Sequence, residues 1–216
     1  MMGEADETGA SAGGQPEGVA MRQPRLLGPH EVRELAERLD VTPTKKLGQN
    51  FVIDPNTVRK IVRLAKVEAG DRVLEIGPGL GSLTLGLTEA GATVTAVEID
   101  HRLAAELPNT FAAMQHEEAA ENRLRVVRSD ALHVTQGQLI DPETWLMPEV
   151  LVANLPYNVS VPILMHLLEL LPGLRSGLVM VQAEVGNRIA APPGSKEYGS
   201  PSAKAAWYGN WHIAST

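Results

Sequence analysis

Between residues 71 and 185 the chain has five short apolar runs, most of them separated by longer stretches with helical spacing, and this alternation constrains the fold more than any other feature. The runs are Asp71–Ile76 (DRVLEI), Ala92–Ile99 (ATVTAVEI), Leu124–Ser129 (LRVVRS), Val150–Asn154 (VLVAN) and Gly177–Val185 (GLVMVQAEV). They are nearly continuous in apolar character, as strands buried on both faces should be. Strands that alternate with helices pair in parallel through right-handed crossovers. The pattern predicts an α/β fold built on an open, doubly wound, mostly parallel sheet.

The intervening stretches carry helix signals. Pro29 opens a short helix whose Val32, Leu35, Ala36 and Leu39 form one apolar stripe. Asp54 followed by Pro55 is an N-cap with proline at the first helical position, and Val58, Ile61, Val62 and Ala65 repeat the stripe. A helix after the first strand runs through Glu89 and closes at Gly91. Arg102–Ala120 reads as helical, with Pro108 expected to kink or split it, and Pro162 opens a helix bearing Ile163, Leu167 and Leu171. Residues 1–24, rich in Gly, Ala, Ser, Glu and Pro, lack the apolar content to offset ordering entropy and are expected to be a disordered tail. This divides the chain into that tail, N-terminal helices with a lid over 25–69, a core over 70–190, and a mostly loop-like segment over 191–216 that ends abruptly.

Composition narrows the classes. Cysteine is absent, which excludes disulfides, thiolate metal sites and a cysteine nucleophile. No run of about 18 apolar residues exists, and the acidic N-terminus lacks the basic flank and apolar core of a secretory signal. A cytoplasmic protein without membrane contact is expected. The net charge is −7, but it is uneven: residues 22–72 hold eleven bases against seven acids, and the segments on either side are acidic. Any polyanion contact should lie mainly before residue 73, although solvated helix faces explain the same charges. The six histidines show no ligand spacing, so no metal is assigned.

Five segments could carry chemistry. Glu75-Ile76-Gly77-Pro78-Gly79-Leu80-Gly81 closes the first strand with a glycine turn. Such a turn lets main chain approach a ligand closely ahead of a helix N-terminus, although a plain structural turn looks the same. Its G-x-G-x-G spacing differs from the G-x-G-x-x-G of dinucleotide binders, which makes a nicotinamide dehydrogenase a distant alternative. Glu98 ends the second strand about 20 positions after the first glycine, where a carboxylate can accept from both ribose hydroxyls and would repel a 2′-phosphate. Asp130, after the third strand, could accept from an adenine amine or cap a helix. Asn154-Leu155-Pro156-Tyr157 follows the fourth strand. The Asn154 side-chain oxygen and the Leu155 carbonyl can accept the two N–H bonds of an adenine N6, Pro156 fixes that carbonyl, and Tyr157 offers a stacking face. Two acceptors localise the amine lone pair, so no strong base is needed; in isolation the four residues could equally form a β-turn. Lys45–Asp54 (KKLGQNFVID) suits a lid over a nucleoside, or a basic loop capped by Asp54.

Lys-Leu-Gly-Gln-Asn-Phe, Glu-Ile-Gly-Pro-Gly-Leu-Gly-Ser-Leu-Thr, Val-Glu-Ile-Asp, Ser-Asp-Ala and Asn-Leu-Pro-Tyr-Asn together resemble, in order and spacing, the bacterial 16S ribosomal RNA adenine N6,N6-dimethyltransferases. The resemblance covers roughly Arg33 to Tyr208 and implies a Rossmann-like methyltransferase core. It implies S-adenosylmethionine as cofactor and two adjacent adenosines near the 3′ end of 16S rRNA as target, within an immature small ribosomal subunit, with the enzyme acting as a monomer. By position, Asn50 and the Val52 main chain should contact the methionine end of the cofactor, Gly77 and Gly79 its underside, Glu98 the ribose and Asp130 the adenine. Asn154 should sit where cofactor and target meet, with Leu155, Pro156 and Tyr157 completing the target pocket. Val52 stands where the family usually has leucine. After Tyr208 the chain leaves the family pattern, so the last two strands, a Phe/Pro-rich loop and a helical C-terminal domain are missing, and a truncated, catalytically incomplete chain is expected. The alternatives are a macrolide-resistance-type methyltransferase of large-subunit rRNA and a non-catalytic ribosome-assembly binder.

Overall fold

The five apolar runs form five strands: β1 (Arg72–Ile76), β2 (Thr93–Glu98), β3 (Leu124–Arg128), β4 (Val150–Asn154) and β5 (Ser176–Met180). The structure, a computed structural model, describes residues 25–41, 54–115 and 122–215. The strands make one sheet in the order β3-β2-β1-β4-β5, and every neighbouring pair is parallel. The chain builds outward from β1 to β3 and then returns to start again at β4. The order therefore reverses between β1 and β4, and at such a switch point the following loops part and leave a crevice at the carboxyl ends of the strands.

Eight helices among the described residues flank the sheet: α1 (Pro29–Arg38), α2 (Pro55–Ala65), α3 (Ser82–Glu89), α4 (His101–Met114), the short α5 (Gln136–Leu139), α6 (Ser160–Leu170), α7 (Ala183–Ile189) and α8 (Ser200–Tyr208). Alternate strand residues serve two cores. Val73, Val94, Ala96 and Val152 lie in one cluster with Val58 and Val62 of α2, Leu83 and Leu87 of α3, and Leu103 and Leu107 of α4. Leu74, Ile76, Val97 and Leu151 lie in the other with Leu139 of α5, Ile163, Leu164 and Leu167 of α6, and Ile189 of α7. The helix starts follow the expected chemistry. The Asp54 carboxylate accepts the Thr57 N–H at 2.8 Å, with Pro55 at the first helical position.

Two expectations are corrected. The fifth apolar run is not one strand: β5 ends at Met180, and Ala183–Ile189 is helix. Ala183-Glu184 are good helix formers, and an acid in the first turn complements the helix dipole. Pro108 lies inside α4 without splitting it. Buried Leu103 and Leu107 before the proline and Phe111 and Met114 after it hold both halves of the helix on one core. The segment after Ala190 is mostly loop, as expected, with one helix, α8, which begins at Ser200 with a proline in its first turn and buries Ser202 and Ala205. Among the described residues no helix is long and apolar enough to cross a membrane.

Candidate active site

The crevice begins with the glycine turn. Gly77, Gly79 and Gly81 have φ of +70°, +58° and +93°, the left-handed region in which a side chain is disfavoured. The turn is held from below: the Gly77 N–H donates to the Val97 carbonyl at 3.0 Å and the Gly81 N–H to the Pro78 carbonyl at 3.0 Å. A Cβ at position 77 would lie 3.3 Å from the main-chain oxygen of Asn154. The ends of β1 and β4 thus come close enough that a side chain here would narrow the crevice. Position 81 is closed differently, since Leu107 of α4 packs where a Cβ would stand, 2.6 Å from it.

Two carboxyl groups lie beneath this turn. Glu98, at the end of β2, is 3% exposed. Its Oε2 accepts the Gly79 N–H at 3.1 Å and its Oε1 accepts the Asp100 N–H at 2.9 Å. Burial pushes the Glu98 pKa up, while main-chain donors at Asp100, Gly79 and Ile99 pull it the other way. The next acid is opposite in character. The Arg102 guanidinium, 2.8 Å away, brings the Asp100 carboxyl down to about 2. Arg102 also donates to the carbonyls of Leu39 at 3.2 Å and Asp40 at 3.1 Å, tying the chain after α1 to the β2 end of the crevice.

Glu75 is the second carboxyl, and it is fully buried. It shares the apolar sheet face of Val73 and takes one hydrogen bond at Oε2, from the Thr84 hydroxyl at 2.6 Å. Oε1 has no partner. Burial raises this carboxyl to about 8, and the nearby Glu98 charge adds to the rise. A carboxyl whose pKa is higher folded than unfolded binds more protons in the native state, so stability falls as pH climbs from about 4.5 to about 8. Glu75→Gln is therefore expected to melt above the wild type at pH 8.5, with the gap closing by pH 5. Thermal scans at both values check it; a pH-independent gap would trace the effect to packing instead.

The outer groups sit on either side. Asp130 follows β3, and its carboxylate turns back on its own loop: Oδ1 accepts the Leu132 N–H at 2.9 Å, and Oδ2 lies 3.2 Å from His133 Nδ1. Asn154 ends β4, in register with Met180 of β5. Leu155 is buried and donates its N–H to the Met180 carbonyl at 3.0 Å. Pro156 is extended at φ −67°, ψ 144°, and Tyr157 begins a 3-10 turn. Tyr157 is 44% exposed, but its hydroxyl donates to Glu184 Oε1 of α7 at 2.7 Å. Gly77, Gly79, Glu98 and Asn154 are thus gathered around the switch point. Asp130 stands one strand further out, linked to it through the Ser129 N–H to Glu98 carbonyl bond of 3.1 Å. Asn50 and Val52 fall outside the described residues, as does most of the lid sequence.

Residues 42–215 match the family model for ribosomal RNA adenine dimethylase. The chain belongs to that family. Ribosomal RNA small subunit methyltransferase A of Leifsonia xyli subsp. xyli is 67% identical over 91% of this chain and 67% of its own length. Other curated relatives bearing the same description are spanned to about 61% of their length. Among solved structures, a dimethyladenosine transferase from Plasmodium falciparum superposes with a TM-score of 0.57 at 28% identity, covering 70% of this chain and 50% of that one. The 23S rRNA methyltransferase ErmE gives 0.53 at 29% identity, covering 67% and 53%. The α/β fold expected from the sequence is the fold of this dimethylase family.

Two residues of the site carry no assignment from the sequence. Glu75 stood within the glycine motif without a role, although an acid inside an otherwise apolar strand was a visible signal. Glu184 lay in a run read as strand, and its contact with Tyr157 comes from α7, so nothing in the sequence pointed to it.

Proposed function

We propose that this chain is the S-adenosylmethionine-binding part of an enzyme that methylates N6 of two adjacent adenosines near the 3′ end of 16S rRNA. In this reading it works as a cytoplasmic monomer on an immature small ribosomal subunit, with 25–69 supplying the lid, 70–190 the cofactor core and 191–216 part of the target side. One observation carries the reading: the four motif groups stand at adjacent strand ends in the order Asp130, Glu98, Gly77 and Asn154, at the point where the sheet changes direction. The residues fit a cationic nucleoside. The glycine at 77 keeps open a space that a Cβ would fill, and the acids around it favour positive charge.

When bound, the cofactor supplies an electrophilic methyl group on a sulfonium. Glu98 would accept from the ribose hydroxyls, and the pinned glycine turn would bring main-chain groups up to the methionine end, together with Asn50 and Val52. Asp130 would hold the adenine amine. On the target side, Asn154 and the Leu155 carbonyl would accept the two N6 hydrogens, leaving the lone pair to face the methyl carbon. Orientation of this kind can lower a barrier by about 7–11 kcal/mol, which suits a displacement that needs no strong base. The same acceptors would stabilise the positive charge that passes to N6. Pro156 holds the Leu155 carbonyl, and the Glu184 bond fixes the Tyr157 ring as a stacking face.

The small-subunit target is favoured over a large-subunit one by the 67% identity to a small-subunit methyltransferase, against 29% to ErmE. Immature small subunits incubated with the chain and tritiated S-adenosylmethionine are expected to gain label, with primer-extension stops at paired adenosines near the 3′ end. Stops in large-subunit RNA would assign it to the macrolide-resistance type. Co-sedimentation with the particles without label would make it an assembly binder.

A further inference from the structure

Glu75 is buried beneath the glycine turn, and the proposed reaction gives it no part. It lies two residues before Gly77, in the sheet layer directly under the glycine turn. Its side chain shares a face with Val73, Ala96 and Val152, and the helices covering that face present Val58 and Val62 from α2, Leu83 and Leu87 from α3, and Leu103 and Leu107 from α4. The groups that act on it are the neutral Thr84 hydroxyl of α3 and the Glu98 carboxyl of β2. Basic side chains on the elements around this layer are taken elsewhere: Arg72 of β1 pairs with Glu149 at 2.7 Å, Arg59 of α2 with Glu89 at 3.0 Å and Arg102 of α4 with Asp100. A buried carboxylate with one hydrogen bond, an unpartnered second oxygen and another acid beside it has nothing to balance its charge. What the free protein lacks, a positively charged ligand at the switch point would provide.

We propose that Glu75 exchanges its proton for the positive charge of the ligand: protonated in the free protein, it releases that proton when a sulfonium nucleoside enters the crevice and takes one up again once the sulfur is neutral. This rests on the S-adenosylmethionine reading above and goes beyond it, because it makes the site discriminate between donor and spent product by charge. The balance closes. On binding, one sulfonium charge enters and one proton leaves to solvent. Methyl transfer turns the sulfonium into a neutral thioether and leaves N6 with one proton more than the product amine keeps; that proton is lost, and Glu75 regains one. The spent nucleoside then occupies a site in which Glu75 is again neutral, and it loses the attraction that this carboxylate gave the sulfonium. Burial pushes the Glu75 pKa up to about 8, which places the exchange within the physiological range.

The test is calorimetric titration of this chain with S-adenosylmethionine and with S-adenosylhomocysteine, in two buffers of different ionisation enthalpy, from pH 6 to pH 8.5. The two ligands share the adenosyl group and the amino acid, so the difference between them reports the sulfur charge. The methionine ligand is expected to release up to one proton near pH 7 and the homocysteine ligand much less. The affinity ratio should rise by about three- to tenfold per pH unit below pH 8, ten being the limit for one whole proton. In Glu75→Gln, shown folded by its circular dichroism and melting, both the extra proton and the slope should vanish. Equal proton release by the two ligands in the wild type, or an unchanged difference in Glu75→Gln, overturns the proposal while leaving the cofactor reading intact. Failure of the wild type to bind either ligand removes the cofactor reading and this inference with it.

Discussion

Glu98→Ala is expected to weaken S-adenosylmethionine binding by at least about 100-fold, because a ribose held by a carboxylate loses two charge-assisted hydrogen bonds of about 1.5 kcal/mol or more each. Glu98 also pins Gly79 and the Asp100 N–H, so part of the loss comes from a looser turn. Glu98→Gln separates the two effects. Its amide oxygen can still accept one main-chain N–H, so it should restore the melting temperature more fully than the affinity. Titration calorimetry on all three proteins decides it. A folded Glu98→Ala that binds within threefold of the wild type would show that the ribose is held elsewhere, and the assignment of the β2 end would fall.

The largest effect on stability is expected beneath the Asn154–Tyr157 loop. Leu164 of α6 is completely buried, within the cluster that includes Leu151, Leu155 and Leu167. Leu164→Ala removes buried methyl groups and leaves a cavity, for a loss of about 2–5 kcal/mol. For a domain of this size that corresponds to a melting temperature lower by roughly 5–15 °C. Because α6 begins directly after the 3-10 turn that carries Tyr157, the loop loses its support as well. The fluorescence of a 2-aminopurine ribonucleotide stacked on Tyr157 should then recover toward its free value. Denaturant unfolding provides the check on stability; a loss under about 1 kcal/mol would mean that α6 is not seated on the sheet as described.

The pH behaviour of the site rests on two acids of unlike surroundings. Asp100 stays ionised because Arg102 holds it well below the usual carboxylate range, and it caps α4 through the Arg102 N–H at 2.8 Å. Glu75, without a cation, is pushed the opposite way. Acidification through the range of ordinary carboxyls thus leaves the Asp100 cap in place, while alkali strains the layer under the glycine turn.

Periodicity made most of the fold legible. Five apolar runs separated by helical stripes could pack only as a covered parallel sheet, and the proline, aspartate and glycine punctuation of α2 and α3 marked those helices from local chemistry alone. Boundaries failed where local signals were mixed. The run from Gly177 is broken only by Gln182 and Glu184, a pattern that predicts strand beyond Met180, although Ala183 to Ile189 turns helical against the second core. The start of α8 carries Gly, Pro and Ser in the pattern of a loop, yet the helix already begins at Ser200: Ser202 Oγ donates to the Arg188 carbonyl at 2.5 Å and Ala205 is fully buried.

The site shows the same division. Residue types and their intervals were enough to choose Gly77, Glu98, Asp130 and Asn154, because each directly follows or ends an apolar run and the strands of a parallel sheet all point the same way. What the sequence could not hold is the order of those strands across the sheet. Register and crossover are long-range choices, and only they bring the Gly77 turn against Asn154, set Glu98 under Gly79, and carry Glu184 to the hydroxyl of Tyr157. The solitary burial of Glu75 is likewise a tertiary outcome. Its neighbours in sequence are ordinary strand residues, and its unbalanced charge arises only when α2, α3 and α4 close over that face and shut water out.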